Sequence, residues 1–153
     1  QIAVARGARV IGVASARNHD LLRELGAAAC IDYASQDVAA AAQDAAGGKV
    51  GAVADFVGGE TILSSLPALR ERGRMATIAG ATGELYPACD LNATIHFVLV
   101  LRSRSILDAL REMVEADTLR PIVDEVLPLE EAAKAHRRLD SGHGRGKVVL
   151  RIR

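Results

Sequence analysis

The stretch Ala8-Arg9-Val10-Ile11-Gly12-Val13-Ala14 predicts a buried β-strand, and it runs directly into Ser15-Ala16-Arg17-Asn18. In a parallel α/β sheet, the tip of such a strand is where the adenosine ribose of a dinucleotide binds. An acidic residue there accepts hydrogen bonds from a free 2′-hydroxyl, whereas Ser, Arg and Asn side chains can donate to a 2′-phosphate. This strand tip contains no acid, so Ser15, Arg17 and Asn18 are predicted to contact the 2′-phosphate of NADPH. The alternative is that Asn18 only caps the next helix and Arg17 is solvated.

Composition and charge narrow the class of protein. Half of the 153 residues are apolar, which is enough for one domain with a sizeable core. Lys and Arg together number 19, as do Asp and Glu, so no net charge favours nucleic acid or an anionic membrane. No apolar run approaches the roughly 20 residues of a spanning helix. Cys30 and Cys89 lack metal-ligand spacing, and we interpret them as free thiols in a reducing compartment such as the cytoplasm, with a disulfide as the alternative.

Residues 1–80 predict strands that alternate with helices. The first helix after the strand tip is expected to have Asn18 as its N-cap and Gly26 as its end. The second, an Ala-rich helix, is expected to be capped by Ser35 and to end at Gly47. The other predicted elements are a helix end at 1–7, strands at 30–33, 50–57 and 74–80, and a helix through Ile62, Leu63, Leu66 and Leu69. Strands that are apolar along their whole length and alternate with helices indicate a parallel sheet covered on both faces.

The next forty residues predict a less regular segment, a strand and a helix. Residues 81–94 carry turn signals and are expected to be irregular, and 95–101 are expected to form a further strand. A helix at 105–116 is predicted to turn its apolar side chains inward, namely Ile106, Leu107, Leu110, Met113 and Val114.

A domain boundary is predicted near Thr118. The tail beyond it is expected to contain a strand at 121–128, a charged helix at 129–139 and a closing strand at 147–152. Because this tail differs in character from the preceding units, we assign it to another structural unit.

The order of these segments resembles that of the medium-chain dehydrogenase/reductases. The resemblance rests on Ala-Arg-Val-Ile-Gly-Val at 8–13, Leu-Gly-Ala at 25–27, Ile-Asp-Tyr at 31–33, Asp-Phe-Val-Gly-Gly at 55–59, Arg-Gly-Arg-Met-Ala-Thr-Ile-Ala-Gly at 72–80 and Gly-Lys-Val-Val-Leu at 146–150. Within that superfamily the chain is most similar to the zinc-independent quinone oxidoreductases, the relatives of zeta-crystallin. The resemblance extends from Gln1 to Ile152.

The resemblance implies a fold and a division of the chain. The implied fold is α/β, a Rossmann-like doubly wound parallel sheet that lacks its first strand and Gly-rich turn. Residues 1–118 would be a partial NADP-binding domain, and 119–153 a returning piece of the catalytic domain.

The implied strand order predicts a gap in the sheet. In the order 3-2-1-4-5-6, the absent strand 1 lies between the strands predicted at 8–14 and 50–57. Without it, each of these strands would leave a row of unpaired backbone groups, at roughly 1–3 kcal/mol for each group left unsatisfied. We therefore hypothesise that the 153 residues are a C-terminal fragment of a longer enzyme.

The resemblance and the strand ends together indicate further cofactor contacts. Tyr33 resembles the family residue beside the adenosine ribose-phosphate, with a half-buried strand-end tyrosine as the alternative. Small residues at strand ends let backbone approach the ribose and nicotinamide. On this basis the predicted cofactor contacts also include Val57, Gly58, Ile78, Ala79, Gly80, Val98, Leu99 and Val100.

Acid/base and metal chemistry are weakly indicated. The chain has four histidines, His19, His96, His136 and His143, and none has a Ser or Cys partner at a recognisable spacing. No metal site and no catalytic residue are predicted from these residues. The resemblance implies that the zinc ligands of the related zinc-dependent enzymes lie mostly upstream of the 153 residues.

The function that the resemblance implies is hydride transfer from NADPH to a small molecule, a quinone or another conjugated carbonyl. A zinc-dependent alcohol dehydrogenase and an enoyl reductase module of a polyketide synthase remain alternatives. A noncatalytic NADPH-binding or structural relative is the alternative of another class. The strand predicted at 95–101 lies at a sheet edge and also suggests a homodimer formed by strand pairing.

Overall fold

Strands and helices alternate throughout residues 1–142 and 144–153, which the computed structural model describes; His143 lies outside them. The elements are α1 (Ile2–Ala5), β1 (Ile11–Val13), α2 (His19–Glu24), β2 (Ala29–Ile31), α3 (Val38–Ala46), β3 (Val50–Asp55), α4 (Glu60–Ser65), β4 (Leu69–Thr77), α5 (Pro87–Asp90), β5 (Thr94–Phe97), α6 (Arg104–Glu115), β6 (Val123–Pro128), α7 (Ala132–Asp140) and β7 (Lys147–Arg151). Short 3-10 turns precede α2, β4 and α7.

All the strand pairs are parallel within the described residues. β1 pairs with β2, β4 pairs with both β3 and β5, and β6 pairs with β7. Parallel neighbours need a crossover connection, and helices provide it between β1 and β2 and between β6 and β7. The predicted α/β class with parallel sheets is confirmed.

The chain forms two compact units. One contains residues 6–103, and the other contains 1–5 with 104–153. The chain thus passes from one unit to the other between Ser103 and Arg104. The assignment of 1–118 to a nucleotide-binding domain and of 119–153 to a catalytic domain stays a prediction.

The core of residues 6–103 consists of two apolar clusters. The larger is built on α4, the turn after it and β4, with Ile62, Leu66, Leu69 and Met75 buried. The smaller surrounds α3, whose small side chains let it pack closely against β2; its buried members are Ile31, Ala39, Ala42 and Ala68. These two clusters hold the helices against the parallel strands.

One helix-capping prediction is wrong, and a second is correct only in its position. Asp37, not Ser35, caps α3 by accepting a hydrogen bond from the backbone amide of Ala40 at 2.8 Å. The hydroxyl of Ser35 donates instead to Asp32, within the turn after β2. Asn18 occupies the N-cap position of α2 as predicted, but its side chain makes no capping hydrogen bond, because its backbone already has helical angles in the preceding 3-10 turn.

Leu69 lies in β4 and not in the preceding helix. The helix ends at Ser65, and Pro67 occupies the 3-10 turn that follows it. Leu69 is fully buried at the start of the strand. The pairing of β3 with β4 shifts register between Val50 and Ala52, which accommodates the irregular backbone around Arg72.

Three further expectations are corrected by the structure. The segment 81–94 is not wholly irregular, since it contains α5. The strand predicted at 95–101 ends at Phe97, and residues 98–101 are exposed. The apolar side of α6 is not turned inward at Ile106, Leu107 and Val114, which are all exposed.

β1 and β3 each pair on one edge only within the described residues, with β2 and β4 respectively. β3 buries Asp55 and partly buries Val50 and Val53, whereas Gly51, Ala52 and Ala54 are exposed. The expectation that this strand is covered along its whole length is therefore wrong here, because packing reaches only part of it. No described helix is long and apolar enough to cross a membrane.

Candidate functional site

The tip after β1 presents three polar side chains on a 3-10 turn, Ala16–Asn18. Arg17 is exposed, and Ser15 and Asn18 are half-buried. The Nδ2 of Asn18 donates to the Oγ of Ser15 at 3.4 Å, a long and weak contact. The Oδ1 of Asn18 is buried and has no hydrogen-bond partner among the described residues. The three predicted phosphate contacts are therefore close together in one turn.

An acidic side chain lies beside this tip, although the sequence of the strand tip contains none. Asp32 follows β2, where its carboxylate accepts from the amide of Ala34 at 3.1 Å and from the hydroxyl of Ser35 at 2.9 Å. The Ala34 amide and then the Ser35 hydroxyl lower the pKa of Asp32, and His19 and the amide of Ala16 contribute less. Asp32 thus stays ionised close to the turn that carries Arg17.

Tyr33 lies in the turn directly after β2. Its side chain is exposed and not half-buried, so the alternative of a half-buried strand-end tyrosine is wrong. An exposed aromatic ring beside the tip is available to a ligand.

A buried carboxylate shapes the turn after β3. Asp55 is 6% exposed, and its Oδ1 accepts from the backbone amides of Val57 at 3.1 Å and Gly58 at 3.2 Å. The amide of Gly58 is also 3.1 Å from Oδ2, and the hydroxyl of Thr61 donates to Oδ1 at 2.9 Å. The buried carboxylate of Asp55 therefore fixes the position of the Val57 and Gly58 backbone.

Thr77 connects this turn to the end of β4. Its side chain is 1% exposed, and its Oγ1 lies 3.3 Å from Oδ2 of Asp55 and 3.1 Å from the carbonyl oxygen of Ala79. The same oxygen accepts from the amide of Ala79 at 3.2 Å. The amide of Gly59 donates to the carbonyl of Gly80 at 2.7 Å. The backbone after β3 and the backbone after β4 therefore form one connected surface.

Two glycines of this surface, Gly58 and Gly80, have different surroundings. Gly58 has φ +78°, and a Cβ there would lie 2.4 Å from the Cβ of Ala79. Only glycine fits at that position. A Cβ at Gly80 would meet nothing within 4 Å, so its backbone faces open space that a flat ring could approach.

The pKa of Asp55 is lowered despite its burial. Burial by itself raises the pKa of a carboxyl group, but the amides of Val57 and Gly58 and the hydroxyls of Thr61 and Thr77 stabilise the charged form and outweigh it. Asp55 is therefore a charged, hydrogen-bonded support and not a proton donor.

The segment after β5 lies beside the backbone that follows β4. The amide of Val98 donates to the carbonyl of Thr77 at 2.8 Å, which places the segment after β5 beside the end of β4. Val57 and Ile78 are 76% and 51% exposed, and Val98, Leu99 and Val100 are also exposed. The structure thus brings Val57, Gly58, Ile78, Ala79, Gly80 and Val98 together, with Leu99 and Val100 next along the chain. Ser15, Arg17, Asn18 and Tyr33 lie at the carboxyl end of the β1–β2 sheet.

Sequence reasoning missed Asp55 and Thr77 as site residues. An acid at the end of an apolar strand, followed within three residues by Gly-Gly, is a signal that could have identified Asp55. Thr77 gives no comparable signal, because a threonine inside an apolar strand is an ordinary β-sheet residue.

Histidines and cysteines form no metal centre in the described part of the chain, where no group of three or more His, Cys, Asp or Glu side chains is placed to hold an ion. His19 has its Nε2 3.0 Å from the carbonyl of Ala14, and His96 and His136 are exposed. Cys30 and Cys89 are free. The described residues therefore provide no zinc-binding group.

Comparison with known proteins places this geometry in a family. The family model described as zinc-binding dehydrogenase matches residues 25–150. A 2-haloacrylate reductase from Burkholderia sp is 32% identical over 160 residues, which cover 94% of this chain and 48% of the relative.

Two solved structures resemble the chain along nearly its whole length. An NAD-dependent alcohol dehydrogenase has a TM-score of 0.90 and 30% identity, covering 99% of this chain and 46% of its own. The quinone oxidoreductase from Coxiella burnetii has a TM-score of 0.86 and 32% identity, covering 99% and 47%. The chain thus shares their Rossmann-like fold and spans about half the length of these relatives. It belongs to the zinc-binding dehydrogenase family of the medium-chain dehydrogenase/reductases.

Proposed function

We propose that this chain is part of a longer oxidoreductase that transfers hydride from NADPH to a quinone or another conjugated carbonyl. The observation that carries the proposal is the connected backbone surface after β3 and β4, which is fixed by Asp55 and Thr77 and bordered by exposed apolar side chains. Such a surface suits a flat ring that must be oriented in a dry site. The matched relatives include a quinone oxidoreductase and a 2-haloacrylate reductase. A 2-haloacrylate, like a quinone, has a carbon–carbon double bond conjugated with a carbonyl group.

Two regions of the chain would bind the two halves of the cofactor. Ser15, Arg17 and Asn18 would donate hydrogen bonds to the 2′-phosphate, with Tyr33 beside the adenosine ribose. The backbone from Val57 to Gly58, from Ile78 to Gly80 and from Val98 to Val100 would hold the nicotinamide. The bound cofactor supplies the hydride, and the protein supplies orientation and exclusion of water. None of these roles requires a general acid from the described residues.

The preference for NADPH over NADH rests on the donors of the tip. Arg17 can make a charge-assisted hydrogen bond to a phosphate, which is stronger than a neutral one. Asp32 opposes this preference, because a nearby carboxylate repels the phosphate. We propose that the donors outweigh it, since they occupy the tip itself.

The test is a titration of the full-length protein with NADPH and NADH, followed by turnover assays with a quinone and an enone. We expect NADPH to bind more tightly than NADH. Addition of either acceptor should then oxidise NADPH, measured as a loss of absorbance at 340 nm. Binding without turnover on any conjugated carbonyl would favour the noncatalytic relative. Failure to bind either nucleotide would refute the proposal.

A zinc-dependent alcohol dehydrogenase is the second candidate, favoured by the family description and by the alcohol dehydrogenase structure. Since the described residues offer no zinc-binding group, any ligands would come from elsewhere in the full-length protein. Metal content by mass spectrometry and alcohol oxidation before and after chelation separate this candidate from the first.

We also propose that the longer protein supplies a strand between β1 and β3, each of which pairs with only one strand among the described residues. A comparison of thermal unfolding for the 153-residue chain and the full-length protein tests this. We expect the longer protein to unfold cooperatively at a higher temperature. Equal stability would argue against the missing strand.

A homodimer formed through β5 is a further proposal. β5 pairs on one edge only among the described residues, and it is followed by exposed apolar residues from Phe97 to Leu101. Analytical ultracentrifugation of the full-length protein should show a dimer, and a monomer alone would remove the proposal. Cell fractionation would test the expected cytoplasmic location.

A further inference from the structure

We infer that Asp55 and Thr77 are positioning residues for the nicotinamide half of the cofactor site, an inference that rests on the proposed function. Neither side chain can touch a ligand, because both are buried. Each side chain instead holds backbone that a ligand can reach. They would therefore set where the nicotinamide ring lies without contacting it.

An asparagine side chain could replace only part of the hydrogen bonding of the Asp55 carboxylate. Its two oxygens accept from the amides of Val57 and Gly58 and from the hydroxyls of Thr61 and Thr77. A carboxylate only accepts, whereas the side-chain amide of asparagine places an NH2 group on one side. In an Asp55→Asn variant that NH2 group would face donors, so at least one buried contact would be lost.

Thr77 makes the positions of the two turns interdependent. Its hydroxyl accepts from the amide of Ala79 and can donate to Asp55. The Cβ of Ala79 lies where no side chain at Gly58 could fit. A displacement of the turn after β3 would thus shift Ala79 and Gly80. A displacement of Ala79 and Gly80 would likewise shift the turn after β3.

The effect on the reaction would be larger than the loss of one hydrogen bond suggests. Hydride transfer needs the two reacting carbons in a defined geometry, and a misplacement of about 1 Å can cost on the order of a hundredfold in rate. The polar residues of the tip, Ser15, Arg17 and Asn18, follow β1, which belongs to the other sheet. The inference therefore predicts damage to binding of the nicotinamide half with the adenosine half spared.

The competing interpretation is that the network only stabilises the fold. In that case its loss would lower the melting temperature and leave the binding of folded protein unchanged, or would weaken both halves of the cofactor in parallel. The two interpretations thus differ in the ratio of two dissociation constants.

The experiment compares variants of the full-length protein by calorimetric titration with NADPH and with adenosine 2′,5′-bisphosphate, which lacks the nicotinamide. The variants are Thr77→Val, which removes the hydroxyl with little change of shape, Thr77→Ser, which retains it, and Asp55→Asn. Asp37→Asn is the matched control, because it makes the same chemical change at the N-cap of α3.

We expect Thr77→Val and Asp55→Asn to raise the dissociation constant for NADPH by about tenfold while that for the bisphosphate changes less than about twofold. The kcat with a quinone should fall in both. Thr77→Ser should restore NADPH binding, and Asp37→Asn should leave both ligands unaffected. If Asp55→Asn does not fold, the threonine pair decides the question by itself.

Equal weakening of both ligands, or unchanged NADPH binding in folded Thr77→Val, would overturn the inference. If the wild-type protein binds both the bisphosphate and NADPH and the variants bind them equally well, the positioning role alone is refuted. A wild-type protein that binds neither ligand refutes the proposed function, and the positioning role with it.

Discussion

The tip after β1 and the joined turns after β3 and β4 are both candidate cofactor contacts, but they are built in opposite ways. At the tip, side chains are exposed or half-buried, and the one contact between Ser15 and Asn18 is long. At the joined turns, the ligand-facing groups are backbone, and the side chains that hold them are buried. Recognition of a phosphate thus depends on which side chains are present, whereas placement of a ring depends on how the backbone is held.

The largest effect is expected from Gly58→Ala, which attacks the joined turns directly. The new Cβ would overlap the Cβ of Ala79 and sit on a backbone with positive φ, so the free energy of unfolding should fall by about 3 kcal/mol or more. Gly80→Ala is the matched control for stability, because it has open space around it. Chemical denaturation measures both. Similar stabilities of the two variants would show that the close approach at Gly58 is not a constraint.

Arg17→Ala tests the tip. We expect it to weaken NADPH by about 1.5–3 kcal/mol and to leave NADH little changed, since only the former offers a phosphate for a charge-assisted hydrogen bond. Titration with both nucleotides provides the measurement. Equal loss for the two would remove the assignment of the tip to the 2′-phosphate.

Asp55→Asn should reduce stability by about 1–2 kcal/mol at neutral pH and by less in acid. The pKa of Asp55 is lower in the folded than in the unfolded protein, where it is about 3.9. Its stabilising contribution is therefore complete above the unfolded value and is lost as pH falls through the folded value. Urea unfolding at neutral pH and at several values below about 4 should show the two proteins converging. A stability difference that is the same at every pH would contradict this.

The smallest effect is expected from Asp32→Asn. Asparagine can keep an acceptor for the amide of Ala34, while the negative charge beside the tip is removed. We expect NADPH binding to strengthen slightly, because solvent screens the repulsion between this carboxylate and the phosphate, and NADH binding to strengthen less. An equal change for both nucleotides would place Asp32 too far from the phosphate to affect the choice.

The local predictions that failed did so where two residues compete for one role. Ser35 and Asp37 are both good N-cap residues, and Ser35 instead binds Asp32, leaving Asp37 to cap α3. Leu69 continues the apolar period of the helix before it, but the turn at Pro67 diverts it into β4. Sequence shows the candidates in each case, and packing decides between them.

The extended segments failed for a related reason. Residues 98–101 have strand-forming composition, yet pairing with β4 ends at Phe97 because Thr77 is the last residue of that partner. The exposed apolar side of α6 is a second example, since hydrophobic periodicity specifies a face but not what covers it.

The sequence by itself determined the alternation of strands and helices, the parallel pairing and the presence of Ser15, Arg17 and Asn18 at one strand tip. These depend on the period of apolar residues and on which side chains follow a strand, and both are local properties. Only the tertiary structure decided that Asp32 lies beside that tip and that Asp55 and Thr77 bind the turns of two strands. Asp55 and Thr77 are 22 positions apart, and the register in which β3 pairs with β4, which neighbouring sequence does not specify, brings them within hydrogen-bonding distance.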